Sequence, residues 1–216
     1  MKRMLGLGGP LMEMLTTIGD FICISALWIV FSLPVVTMGA STAALYATVY
    51  RCMRVDKAGI WKNFWKSFRD NFKVATLAWV AELMVMAVLT LDVLIFRSLW
   101  RTGRSMGGLY WPALVFWFAA LTWIVYVAAY IARFTGRVRD VLYFGIHLLR
   151  MHPLYALGMV LVLALGLAAC LMAPVVVLFA PACVCWVSTF LLEKVFRLHM
   201  RPEDLARETG GLRNKT

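Results

Sequence analysis

Phe21–Tyr50 reads FICISALWIVFSLPVVTMGASTAALYATVY, without a single charged side chain. In water so long an uncharged run could only be the centre of a large core. In hydrocarbon it is a membrane segment, a break at Ser32–Gly39, and a shorter helical return. Pro34 removes a backbone donor at the break, and Gly39 relieves crowding there. The carbonyls freed by the break then need side-chain donors, and Thr37 and Ser41 are at hand. Two full spans over 17–33 and 37–53 fit the stretch, and so does one re-entrant hairpin. Pro34, Thr37 and Gly39 are candidate functional positions in either case.

The rest of the chain agrees with a bilayer as its solvent. Hydrophobic residues make up 62% and charged residues 15% of 216 positions, too little charge to cover a soluble domain. Further apolar runs predict spans near 74–96, 111–132, 153–173 and 181–198, followed by a polar tail over 201–216. Met1–Gly9, with Lys2 and Arg3, has the basic start of a signal peptide, but Glu13 and Asp20 follow it and no small-residue cleavage site is present. An uncleaved first span is expected. The fold class is therefore all-α: a polytopic helical membrane protein of about six membrane segments in a single domain, with two cytoplasmic amphipathic helices.

The net charge of +11 is topological rather than a nucleic-acid footprint. Of the 22 Lys and Arg residues, Arg97, Arg101 and Arg104 share one connection, and the remaining 19 all fall on the other side of a six-segment layout. The positive-inside rule then puts both termini in the cytoplasm.

Arg51–Lys73 is the richest of the basic connections. Within it, Trp61, Trp65, Phe68 and Phe72 recur at helical spacing, and Lys62, Lys66, Arg69 and Lys73 keep the same rhythm one residue later. An aromatic stripe beside a basic stripe suits the headgroup boundary of a bilayer containing anionic lipid, or the docking helix of a cytoplasmic partner. Arg133–His152 repeats the arrangement, with Val138, Val141, Leu142, Gly145, Leu148 and Leu149 on one face. Glu82 lies about eight residues inside the span that follows Lys73, where an ionised carboxylate is costly. It is either a protonated or hydrogen-bonded contact between helices, or part of a substrate or proton path. No basic residue lies at matching depth on another predicted span, and Asp92 is near enough to the far end to reach headgroups.

Catalytic, metal and cofactor sites are not indicated. Cys183 and Cys185 point about 200° apart on a helix, His147 and His152 are poorly spaced to chelate, and no Cys/His cluster completes a site. There is no HExxH, GxSxG, carboxylate pair with a histidine, or phosphate-cradling glycine loop, so an enzyme is not expected.

The segment LWIVFSLPVVTMGASTAALYATVYRCMR, followed by WKSFRDNFKVATLAW, resembles the YesL family of small bacterial integral membrane proteins. The resemblance is best over Gly19–Val80: the S-L-P-x-x-T-x-G break, the A-L-Y after it, and the basic aromatic segment. It implies a multi-pass protein of a bacterial plasma membrane. Its members are typically encoded beside solute-binding-protein-dependent carbohydrate importers, which implies a non-catalytic accessory subunit or regulator of an ABC-type oligosaccharide importer. No residue roles are carried over from the family. A small transporter or channel, with Glu82 and the Pro34–Gly39 break lining its path, is the alternative.

Overall fold

The computed structural model of the chain describes residues 10–55, 59–103, 105–134 and 136–199, with the side chains of 10–14, 53–55 and 196–199 excepted. The expectations for Met1–Gly9, Asp56, Lys57, Arg104 and the 201–216 tail fall outside those residues. The described residues form seven α-helices and no strand: α1 Pro10–Ser32, α2 Met38–Val49, α3 Ile60–Arg101, α4 Tyr110–Arg133, α5 Val138–Met151, α6 Pro153–Met172 and α7 Ala180–His199.

The break in the opening stretch is a tight turn through Leu33 and Pro34, with one 3₁₀ turn at Val35–Thr37. Beyond it, α2 is the innermost element. Nine of its twelve residues are buried, and it touches α1, α3, α4 and α7. Ala40, Ala43 and Ala44 face a core built with Phe64, Phe68 and Ala78 of α3. Leu45, Tyr46 and Val49 face a second core that reaches α6 and α7. One short helix therefore belongs to both halves of the interior. Its small residues allow neighbouring backbones to come close, as membrane helix packing favours.

At 1.5 Å per residue α2 is about 18 Å long, against about 36 Å for α4. Its C-terminal end continues as a π-helical turn, Tyr50–Val55, which lies beside the C-terminal end of α4. The turn at its other end is thus about halfway along α4. Four helical segments are long and apolar enough to cross a membrane: Leu15–Ser32, Ile60–Arg101, Ser105–Arg133 and Pro153–Met172. α2 is too short to be among them, and α7 carries Glu193 and Lys194 within its last two turns.

The expected cytoplasmic helix over the Trp61–Lys73 stripe and the expected span 74–96 are not separate. They are one 42-residue helix, α3, about 63 Å long. No glycine or proline occurs between Ile60 and Arg101, so nothing interrupts the hydrogen-bond ladder where the polarity changes. Gly59, at φ 75°, turns the chain into this rod. The second amphipathic segment does form its own helix, α5. It buries Val141, Gly145 and Leu148 and exposes Arg139 and Arg150. It lies across the second half of α4, where Trp123 Nε1 donates to the Leu142 carbonyl at 3.1 Å. α6 starts on Pro153 at its first turn, a short 3₁₀ turn at Pro174–Leu178 follows it, and α7 then runs back. The outer surface is studded with Leu91, Leu94, Phe116, Leu157, Leu161 and Leu165, the pattern of helices facing hydrocarbon rather than water.

Gly39 tests the α2–α3 contact. A Cβ there would meet Trp79 Cβ at 2.4 Å and the Ala75 carbonyl oxygen at 2.8 Å, whereas one at Gly19 would meet nothing within 4 Å. Gly39→Ala is expected to destabilise by about 1–3 kcal/mol through forced separation of the helices. Gly19→Ala should be neutral or slightly stabilising. Unfolding in mixed micelles, followed by circular dichroism, measures both.

Candidate functional site

The hairpin turn solves its backbone problem with the side chains expected to do so. The Thr37 hydroxyl lies 2.7 Å from the Phe31 carbonyl and 2.9 Å from that of Pro34, and donates into this pair. The Ser41 hydroxyl donates to the Trp28 carbonyl at 3.1 Å, and Trp28 Nε1 donates to Thr42 Oγ1 at 3.2 Å. A third donor comes from outside the hairpin: Trp79 Nε1 to the Val35 carbonyl at 2.7 Å. Carbonyls left unpaired in hydrocarbon cost several kcal/mol each. Thr37, Ser41 and Trp28 therefore close the hairpin on itself, and the Trp79 bond holds its turn against α3. Pro34 is exposed at its tip.

Glu82 follows Trp79 by three residues, one helical turn farther along α3. It shares a face with the buried Ala75 and Ala78 and is only 2% exposed. Among the described residues its Oε1 has no hydrogen-bond partner. It lines none of the three cavities named below. The structure thus places Glu82 one turn beyond the residue that caps the Val35 carbonyl, without a hydrogen bond from its Oε1 to the turn.

The charged centre that sequence reasoning missed lies at the opposite end of α2. Arg133, in the last turn of α4, forms an ion pair with Glu193 of α7, and their side chains are only 8% and 3% exposed. The Tyr46 hydroxyl donates to the same carboxylate at 3.5 Å. The Arg133 guanidinium also lies 4.6 Å from the centre of the Tyr50 ring, within cation–π range. The π-helical turn after Val49 begins at Tyr50, so an irregular backbone carries this contact. Tyr46 and Tyr50 are four apart on α2 and its continuation, and that spacing was the available signal. Arg133 and Glu193 read instead as end-of-span charges, 60 residues apart in sequence.

The basic aromatic segment divides differently from its predicted stripe. Phe68 is buried with Phe64, and Phe31 of α1 packs on both, with ring centres 5.1 and 5.6 Å away. Trp61 and Trp65 are 60% and 44% exposed and stack in parallel, 6.4 Å apart. Phe72 is on the margin, and Lys62, Lys66, Arg69 and Lys73 are all exposed. Two largely apolar hollows flank the bundle. One, of about 310 Å³, lies beside Trp28, Thr42, Tyr46 and Cys185, and one of about 540 Å³ lies between α4 and α6. Cys185 is buried and Cys183 exposed, on opposite faces as their spacing requires.

A helical membrane bundle, organised around a buried half-length helix and a buried ion pair, is the class these features define. Residues 21–93, about a third of the chain, match the family model described as "Protein of unknown function, DUF624". The match covers the second half of α1, all of α2 and most of α3. Neither a curated protein nor a solved structure matches the chain.

Removing one member of a buried pair strands the other charge, at a cost of about 3–5 kcal/mol. Arg133→Met and Glu193→Leu should each destabilise by that order. The double variant should cost clearly less than the two together, as expected for residues in contact. A double-mutant cycle on unfolding free energies in micelles reads the coupling. Additive losses would show that the pair is not formed.

Proposed function

We propose that this chain is a non-catalytic membrane accessory subunit that engages a larger assembly through the exposed ridge at the start of α3. The observation that carries the reading is the pair Trp61 and Trp65, exposed and stacked beside four exposed cations on a helix that does not end at the membrane boundary. Phe64 and Phe68 anchor that segment from behind. The ridge is therefore presented in a fixed direction, and a preorganised aromatic–basic surface is what hot-spot recognition uses. The YesL-like pattern in the hairpin and α3 points to an ABC-type carbohydrate importer as the assembly, in a bacterial plasma membrane.

In the same reading the chain has six membrane segments, of which the first two form a re-entrant hairpin. α3, α4, α6 and α7 cross, and both termini are cytoplasmic. The half-length of α2 and the clustering of basic residues beside Arg133 support that arrangement.

A second reading rests on Glu82, whose buried carboxyl next to a broken hairpin resembles the polar sites of transporters built on interrupted helices. There the chain moves a solute itself, and Glu82→Gln in proteoliposomes abolishes flux. Flux unchanged by that substitution removes the second reading.

For the first reading, affinity capture from native membranes in mild detergent should recover importer subunits with the wild-type chain. Trp61→Ala/Trp65→Ala should lower that recovery at least about tenfold, the loss of two aromatic anchors. Failure of the wild type to retain any importer subunit, under conditions that keep the importer intact, overturns it.

A further inference from the structure

A polar cleft of about 140 Å³ opens where the continuation of α2, the lower part of α3 and the end of α4 meet. Arg51 and Lys66 lie on it, both exposed, and among the described residues neither forms an ion pair. Ser67 and Asn71 line the cleft deeper in, and the Ser67 hydroxyl is its neutral donor. Asn71 Nδ2 donates to the Ser67 carbonyl at 3.1 Å and lies 3.4 Å from Ser67 Oγ, so the Ser67 hydroxyl keeps its own proton to give. Arg133 contributes to the wall from the buried pair behind it. Donors therefore converge from three segments that are far apart in sequence.

Two features of the cleft favour a different kind of group. Asp70 lines it, and α4 ends in it at Ile131–Phe134. The carbonyls of a helix's last turn lack intrahelical donors. A bare anion would use only half of this surface. A phosphodiester bearing hydroxyl groups would use all of it, with its phosphate oxygens on Arg51, Lys66 and Ser67 and its hydroxyls on Asp70 and the end of α4. Trp61 and Trp65 stand on the same helix, five residues and one residue before Lys66, where interfacial aromatics mark headgroup level.

We propose that this cleft is a headgroup site for an anionic phospholipid whose headgroup carries hydroxyls, of the phosphatidylglycerol type. Basic pockets between membrane helices are suited to such headgroups, and each cation near the surface strengthens attraction to anionic lipid. The cleft shares Lys66 with the ridge but neither Trp61 nor Trp65, so lipid retention read with Arg51→Gln and partner capture read with Trp61→Ala/Trp65→Ala are separate readouts.

The test is native mass spectrometry of the purified full chain after exchange into nanodiscs of phosphatidylcholine with a minor fraction of phosphatidylglycerol. Arg51→Gln/Lys66→Gln should weaken retention of phosphatidylglycerol roughly fivefold per charge removed. Lys62→Gln/Lys73→Gln removes the same charge from α3 outside the cleft and should change retention less than about twofold, the small residual expected of screened charges. Lys66→Arg, which keeps the charge, should retain the lipid. Both substituted side chains are exposed, so the fold does not depend on them, and each single variant gives the same reading with half the effect. Displacement of the lipid by glycerol phosphate or inorganic phosphate would overturn the lipid assignment in favour of a soluble phosphate. Persistence of the lipid against both assigns it to the bilayer. Equal losses in the two double variants, or full retention by Arg51→Gln/Lys66→Gln, overturn the site.

Discussion

A helix that begins halfway through a bundle has one end whose polar groups water cannot reach, and this structure is arranged around meeting that requirement. At the turn end of α2, the donors are Thr37, Ser41 and Trp79, the last reaching across from α3. At the other end, a π-helical turn delivers Tyr50 to the guanidinium of Arg133. Because α2 is buried, it has no freedom to slide and find other partners. Its neighbours must come to it, and α1, α3, α4 and α7 all do. The small residues along it are the geometric counterpart of this constraint, since bulky side chains would hold the partner backbones away.

The Arg133–Glu193 pair meets a second requirement. Among the described residues helix α7 packs chiefly against α1, α2 and α6, and its first turn is tied in by a bond from the Ala182 N–H to Ser25 Oγ. A buried ion pair adds little net stability relative to a well-packed apolar contact, because both ions lose their hydration. What it adds is discrimination. A register of α4 against α7 shifted by one turn would strand both charges in a poorly solvated place, at a cost of about 3–5 kcal/mol for a stranded charge. The position of the cation at the C-terminal end of α4 is also the favourable one for its helix dipole.

Continuity of α3 changes how its amphipathic segment is understood. A separate interfacial helix could rock on the bilayer surface independently of the spans. Fused to the span and wedged by Phe64 and Phe68 against Phe31 of α1, it moves only with the bundle. Anything that grips Trp61 and Trp65 thereby grips the hairpin through Phe31. The cleft with Arg51 and Lys66 occupies the angle between these same elements, so headgroup, hairpin and ridge share one mechanical unit.

Local chemistry was readable from residue order alone: an uncharged stretch broken by Pro34, donors at Thr37 and Ser41 to repair the break, an amphipathic α5, and exposed cations at Lys62, Lys66, Arg69 and Lys73. Each of these depends on periodicity, on backbone donors and acceptors, or on solvation, which act over a few residues. The fusion of α3 was also within reach, since no breaker separates its polar and apolar parts, but the change in composition concealed it. Tertiary structure alone decided that α2 would be the innermost helix, that Arg133 would meet Glu193 across 60 residues, and that Phe64 would go inward while Trp61 stayed out. Those outcomes depend on which surfaces meet. Apart from α5 and the start of α3, the helices here are apolar over much of their circumference, so hydrophobicity cannot single out a contact face, and only the simultaneous packing of all of them does.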